Sequence, residues 1–299
     1  MSASISPPKS PFEPRPAPGA DASSSTSEPS SSSGPTSAKP LPVEWPLTSF
    51  ASTPHNVACI AFVLGACWAT GLAFTLPNVK TWFVWSSPLT SAVKLPQQGW
   101  WTALTGSPQL GTYLAAWAVF HLFEFVVTSM YDPGKLSVQS YLLDNGAQYR
   151  IAHIAGFVEH VLEERFLPEK YRMWKHVGGL YVLGLVLTVG GQIVRSYAMI
   201  SASNNFSHLI SYSKRADHRL VTSGIYSWSR HPSYAGFYWW AVGTQVMLGN
   251  PICVLAFVAT LQWFFSARIR VEEKYLVKFF GKEYEDYRKR VPARIIFIS

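Results

Sequence analysis

Three runs of this chain, Asn56 to Leu76, Leu110 to Met130 and Val177 to Ser201, stay apolar over roughly the 20 residues that a helix needs to cross a bilayer. Backbone in hydrocarbon must satisfy its own hydrogen bonds, so such runs constrain the fold more than any other feature. Three further segments follow the same logic less cleanly. Ala147 to Phe166 is amphipathic, with His153, Glu159, His160, Glu163 and Glu164 breaking the apolar positions, and it must turn those groups toward other helices or water. Tyr234 to Gly249 and Ile252 to Ala267 are near the short limit for a span, and only Asn250-Pro251 separates them. That spacing predicts a tight helical hairpin, because Pro251 suits the first position of a helix, where its missing N–H would be unpaired anyway. The expectation is an all-α, polytopic membrane protein of about six transmembrane helices, ending in the hairpin, with a cofactor pocket on the cytosolic side.

Composition agrees. With 48% apolar and only 14% charged residues, 299 residues are too greasy for an ordinary soluble domain. Residues 1–45 form a Ser, Pro and Ala tail that lacks the side chains to offset ordering entropy, and are expected to be disordered and cytosolic. The opening Met1-Ser2-Ala3-Ser4 has no basic stretch leading into an apolar one, so the first hydrophobic segment is expected to act as the insertion signal. The formal charge of +8 collects after Arg268 and in loops beside apolar runs, where lipid headgroups account for it; no nucleic-acid reading module is present. Cys59, Cys67 and Cys253 fall within spans at no metal-binding spacing and read as packing residues, and no metal is expected.

Six spans place both termini on one side. The loops on that side hold Lys214, Arg215, Arg219, Arg230 and the basic stretch from Arg268 to Arg294, which obeys the positive-inside bias and makes that side cytosolic. Arg165, Lys170, Arg172 and Lys175 are the exception. Between the first two spans, Pro88, Pro96 and Pro108 with Trp82, Trp85, Trp100 and Trp101 predict an irregular or interfacial segment. The organisation expected is a tail (1–45), a first helix with its interfacial segment (46–109), and a membrane core (110–299) whose last part (202–299) binds a cofactor.

The chemistry concentrates between His218 and Pro251. Charged groups pressed against membrane-grade sequence are costly unless they face a protein or water-lined cavity. Arg230-His231-Pro232 joins a fixed cation, a hydrogen-bonding ring and a residue that holds the chain extended before a helix starting near Tyr234. Such an entry aims side chains and free helix N–H groups into one volume, a ready site for a carboxylate. The plainer reading is that His218 and His231 are interfacial histidines satisfying nearby backbone. Arg268 and Glu272 share a helix face four residues apart and are open to two readings: a snorkelling surface ion pair, as Arg270 and Glu273 beside them look, or a site in which Arg grips a carboxylate and Glu accepts from a ligand. Tyr275 to Val291, with Leu276, Phe279, Phe280, Tyr284 and Tyr287 at helical spacing, is expected to pack as a lid or interfacial helix.

Beyond about residue 110 the chain resembles the isoprenylcysteine carboxyl methyltransferases, in a fungal-like arrangement. The resemblance rests on Asn205-Phe206-Ser207-His208, on His218 through Tyr226, on Arg230 through Trp240, on Gly243 through Pro251, and on Glu272-Glu273 with Phe280 through Tyr284. It implies methyl transfer from S-adenosylmethionine to the α-carboxylate of the prenylated C-terminal cysteine of CaaX proteins, in the endoplasmic reticulum membrane. Carried over by motif, His218, Arg219, Leu220, Val221, Tyr226, His231, Pro232, Ser233, Tyr234 and Glu272 line the cofactor pocket, and Arg268 meets the substrate carboxylate. Ser211 stands where related animal enzymes are expected to have Gln, which puts its cofactor contact in question. Arg-His-Pro-x-Tyr and Val291-Pro292 also look like membrane sterol reductases, so an NADPH-dependent lipid reductase is the first alternative. A phospholipid N-methyltransferase is the second, disfavoured because Arg268 would repel a cationic product, and a non-catalytic membrane scaffold is the third.

Overall fold

The computed structural model describes residues 52–82 and 107–295. The tail 1–45 and the interfacial segment with Trp85, Pro88, Pro96, Trp100 and Trp101 lie outside the described residues. Within them the protein is helical: α1 (Pro54–Trp82), α2 (Pro108–Tyr131), α3 (Ala147–Phe166), α4 (Gly178–Ala202), α5 (Pro232–Leu248), α6 (Pro251–Phe280) and α7 (Lys282–Arg290), with short helical turns between them. Proline opens several of these helices at a position where no N–H is required, Pro108, Pro232 and Pro251 among them. Pro108 therefore begins α2; it does not belong to the irregular segment.

Among the described residues, four helices are long and apolar enough to cross a membrane, over Pro54–Asn78, Pro108–Tyr131, Gly178–Asn205 and Pro251–Phe280. That is fewer than the expected six by length and composition. Helix α5 has only 17 residues, and α3 carries several charges. Helix α5 nevertheless runs alongside α4, from Gly236 against Arg195 to Met247 against Gly184, whereas α3 is offset, its midpoint Gly156 lying at the hairpin turn. At one end Thr75 of α1 meets Thr112 of α2 (3.1 Å), Gln109 of α2 donates to the Lys175 carbonyl before α4 (3.0 Å), and the Gly249-Asn250 turn of the hairpin donates to Gly156 of α3 (2.8 Å). At the other end Val138 beyond α2 donates to Ser52 before α1 (3.0 Å), and Ser203 after α4 donates to the Tyr131 carbonyl (2.8 Å). The loop 203–231, the start of α5 and the end of α6 also gather there.

The polar face of α3 is consumed by its neighbours. Tyr113 of α2 meets His153 Nδ1 at 2.5 Å, His160 bridges Ser107 (3.0 Å) and the Leu248 carbonyl (3.1 Å), and Glu159 accepts from the free N–H groups of Ile252 and Cys253 at the start of α6 (2.8 and 2.7 Å). Buried Lys175 pairs with Glu163 (2.8 Å), and Arg172 with Glu164 (2.9 Å). Two of the cations that broke the positive-inside pattern are thus neutralised internally.

Helices α4 and α5 form the tightest seam. Gly191 faces Trp240 and Gly236, and Gly243 faces Thr188, so closely that a Cβ at Gly191 would lie 2.4 Å from the Trp240 amide nitrogen. Without a hydrophobic force to drive helices together in lipid, such small-residue contacts are what allow close packing. The second arm of the hairpin is longer than expected: α6 continues to Phe280, so Arg268 and Glu272 lie within a helix and not at its mouth. It stops where Gly281 adopts φ +56°, and α7 turns back over the loop 203–231.

Candidate functional site

A cleft among the described residues encloses about 860 Å3, its open mouth included. Its walls bring together Ser211, His218, Arg219, Leu220, Val221, Tyr226, His231, Pro232, Ser233, Tyr234 and Glu272, every residue to which the sequence reading gave a cofactor contact. The long loop between α4 and α5 forms one wall, the first turn of α5 the floor, and α6 with α7 the other wall. Tyr275, Phe279, Phe280, Tyr284 and Tyr287 supply an aromatic side that was expected only to pack as a lid.

The Arg230 cassette is rigid for reasons not visible in its own residues. Arg230 Nε donates to Glu273 Oε1 (2.6 Å), its NH1 donates to the Val291 carbonyl (2.9 Å), and its amide donates to the Pro292 carbonyl (3.1 Å). His231 Nε2 shares the same Glu273 oxygen at 3.1 Å, and its ring lies parallel to Tyr234 with centroids 5.6 Å apart. Ser229 fastens the Ala293 carbonyl from the other side (2.6 Å). Two sequence readings change here. Glu273 is buried and holds the cassette, where a surface pairing with Arg270 had been read; and Arg230 is held by Glu273 and the Val291 carbonyl, so it acts as a strut.

Arg268 does not line this cleft. It lines a smaller cavity next to it, with Leu142, Phe237, Phe264 and Phe265, and the two cavities share Phe206, Ser207 and Tyr234. The Tyr234 hydroxyl is the junction: it donates to Glu272 Oε2 (2.6 Å) and accepts from Arg268 Nε (2.8 Å), while Arg268 NH2 donates to the His208 carbonyl (2.6 Å). Arg268 and Glu272 are therefore bridged by a phenol, and no direct ion pair joins them. The snorkelling surface pair is excluded, and each charged head faces a different cavity.

Outside the spans, burial pulls the His218 pKa down, with Arg215, Lys135 and Lys214 adding to the effect, so the ring is neutral at pH 7. Burial pushes the phenols of Tyr226, Tyr284 and Tyr287 up, which keeps them protonated donors.

Several residues escaped the sequence reading. Lys135 grips the carbonyls of Asn204 (2.8 Å) and Phe206, tying down the partition between the cavities. Glu124 in α2 and Arg195 in α4 form a buried bidentate pair (2.5 and 2.9 Å), and His208 Nε2 meets the same carboxylate at 2.9 Å. Both residues were single charges inside otherwise apolar spans, a signal that by itself marks a functional candidate.

Residues 182–278 match the family model described as the isoprenylcysteine carboxyl methyltransferase (ICMT) family. The protein-S-isoprenylcysteine O-methyltransferase of Saccharomyces cerevisiae is 44% identical over 188 residues, covering 62% of this chain and 79% of that one. Its namesake from Xenopus laevis is 40% identical over 199 residues, 66% of this chain and 68% of its own. Among solved structures, the eukaryotic intramembrane Ras methyltransferase ICMT superposes with a TM-score of 0.67 at 32% identity, covering 81% of this chain and 76% of that one. On the strength of these likenesses, the chain belongs to the isoprenylcysteine carboxyl methyltransferase family.

Proposed function

We propose that the chain transfers a methyl group from S-adenosylmethionine to the α-carboxylate of a C-terminal prenylated cysteine, with the cofactor in the larger cavity and the acceptor carboxylate in the smaller. The single observation that carries this reading is that the two cavities meet at Tyr234, with Glu272 on one side and Arg268 on the other.

The larger cavity suits such a cofactor: of its two arginines, Arg230 is paired with Glu273, Glu272 stands opposite Arg219, Ser211 and His218 are neutral, and its aromatic wall offers a stacking surface for an adenine ring. When bound, the cofactor supplies a methyl group made electrophilic by a sulfonium. A carboxylate with a pKa of about 3.5 is already ionised at neutral pH, so attack needs no general base and no covalent intermediate. What the protein supplies is alignment and dryness. Arg268, with two of its nitrogens held by Tyr234 and His208, has NH1 left to orient one carboxylate oxygen, and Phe206 and Tyr234 keep water from the junction.

The smaller cavity draws its walls from Leu142 and Asn145 ahead of α3 and from Phe264 and Phe265 of α6, and we place the lateral entrance for the prenyl chain between those helices. Helices α3 and α5 complete about six spans, residues 202–299 are the cofactor-binding part of the core, and the cavity end of the bundle, with both termini, faces the cytosol from the endoplasmic reticulum membrane. No metal is called for.

Membranes containing the chain should transfer labelled methyl from S-adenosylmethionine to N-acetyl-S-farnesylcysteine. Arg268→Ala should lower that transfer at least about 100-fold while S-adenosylhomocysteine affinity, measured by calorimetry on purified protein, stays within about threefold. Normal transfer by the mutant would refute the assignment. Stabilisation by NADPH and not by S-adenosylhomocysteine would return the reductase alternative.

A further inference from the structure

Glu124 reaches the acceptor cavity without lining it. Two cationic side chains do line it, Arg268 and Arg195. A cavity with two unopposed guanidinium groups beside one carboxylate would be a trap: it would stabilise the ionised ground state, whose charge is spent as the bond to carbon forms, and so would raise the barrier to transfer. The arrangement avoids this. Both Glu124 oxygens are directed at Arg195, Oε1 at 2.5 Å from Nε and Oε2 at 2.9 Å from NH2, and the carboxylate is completely buried. The remaining Arg195 nitrogen donates to the Ser233 carbonyl (3.3 Å), one residue before Tyr234. On the opposite flank, Glu124 Oε2 accepts from His208 Nε2 (2.9 Å), and the His208 carbonyl holds Arg268 (2.6 Å). One carboxylate thus cancels the second cation and braces both sides of the Arg268–Tyr234 contact.

We infer that Glu124 is the charge-balancing and positioning residue of the acceptor cavity: by cancelling Arg195 it leaves Arg268 as the single net guanidinium charge offered to the acceptor. This rests on the acceptor carboxylate occupying the smaller cavity, as proposed above. It has a consequence that a purely structural ion pair lacks, namely effects of opposite sign at the two partners. In Glu124→Gln the cavity gains a net cation, so the KM for a carboxylate acceptor should fall roughly three- to tenfold, and kcat should fall at least about tenfold because ground-state binding has been overdone. In Arg195→Gln the cavity gains a net anion, and KM should rise by about tenfold or more. S-adenosylhomocysteine affinity should stay within about threefold in both.

The experiment is steady-state methyl transfer to N-acetyl-S-farnesylcysteine by the full-length chain in lipid nanodiscs, with calorimetric S-adenosylhomocysteine binding on the same samples. Shifts of KM in the same direction for both variants, or in neither, overturn the proposal. Breaking a buried pair can unfold a protein, so the double variant Glu124→Gln/Arg195→Gln, which removes both charges and restores the balance, is measured alongside. Its KM should return to within about threefold of the parent; a loss of acceptor affinity beyond tenfold overturns the proposal even where a single variant does not fold. A parent protein that binds S-adenosylhomocysteine but transfers nothing to this acceptor instead sinks the reading of function on which the proposal stands, whatever the variants do.

Discussion

At the scale of single residues, the most telling charge state is that of His218. Its pKa lies below the ordinary histidine value, first because it is buried and then because Arg215, Lys135 and Lys214 crowd it. A group with this depression is neutral at pH 7 and takes up its proton only on further acidification, so the folded protein resists protonation that the unfolded chain accepts. A sulfonium bound nearby would oppose the same proton. Affinity for S-adenosylmethionine should therefore be flat across neutral pH and weaken once the pH drops through the histidine range, while S-adenosylhomocysteine, which lacks the sulfur cation, weakens less. His218→Gln should erase the difference between the two titrations; a difference that survives would assign it to another group. Residues of this kind were the legible part of the site, because polar groups crowded beside apolar sequence stand out along the chain. Glu273 was read as a surface charge, and Lys135 and the Glu124–Arg195 pair were not read, since each acts on partners far away in sequence, and nothing in local spacing reports who those partners are.

At the scale of helices, the α4–α5 seam sets the position of the first turn of α5 and so of Tyr234. Gly191 has no room for a side chain, whereas neighbouring Gly190 has nothing within 4 Å of where its Cβ would stand. Gly191→Leu should separate the two helices and lower the thermal midpoint in detergent, at a cost beyond the roughly 1–3 kcal/mol of ordinary overpacking because the clash is with backbone. Gly190→Ala should leave it unchanged. Equal behaviour of the two would mean that the seam does not hold the helices. Periodicity and apolar length revealed the spans and the hairpin, and Asn250-Pro251 marked its turn correctly. What they missed is the continuation of α6 to Phe280. The charges after Ala267 looked like an exit from the membrane, yet Arg268 and Glu272 have Tyr234 to bind and Glu273 has Arg230, so the helix had no reason to end there.

For the molecule as a whole, the division of labour follows solubility. The larger cavity is lined by polar groups and aromatic edges, and the smaller by Leu142, Phe237, Phe264 and Phe265 around two engaged arginines. If the acceptor arrives through lipid, its chain length should act on concentration in the membrane more than on chemistry. Shortening the prenyl group from farnesyl to geranyl removes one isoprene unit, worth up to about 4 kcal/mol of partitioning at roughly 0.8 kcal/mol per carbon. The apparent KM in bulk units should rise steeply, by up to about three orders of magnitude, with kcat changed little. A collapse of kcat at constant KM would mean that the tail is gripped only in the transition state and that entry is not through lipid.

The partition built from Phe206, Ser207 and Tyr234 has a last consequence for what happens after the methyl has crossed. With cofactor and acceptor in the cavities proposed for them, the ester and the spent nucleoside then stand back to back, one having lost the charge that Arg268 would hold and the other the charge on its sulfur. With the exits as proposed, one into oil and the other into water, neither departure should have to wait for the other, and turnover should run without a compulsory sequence of leaving.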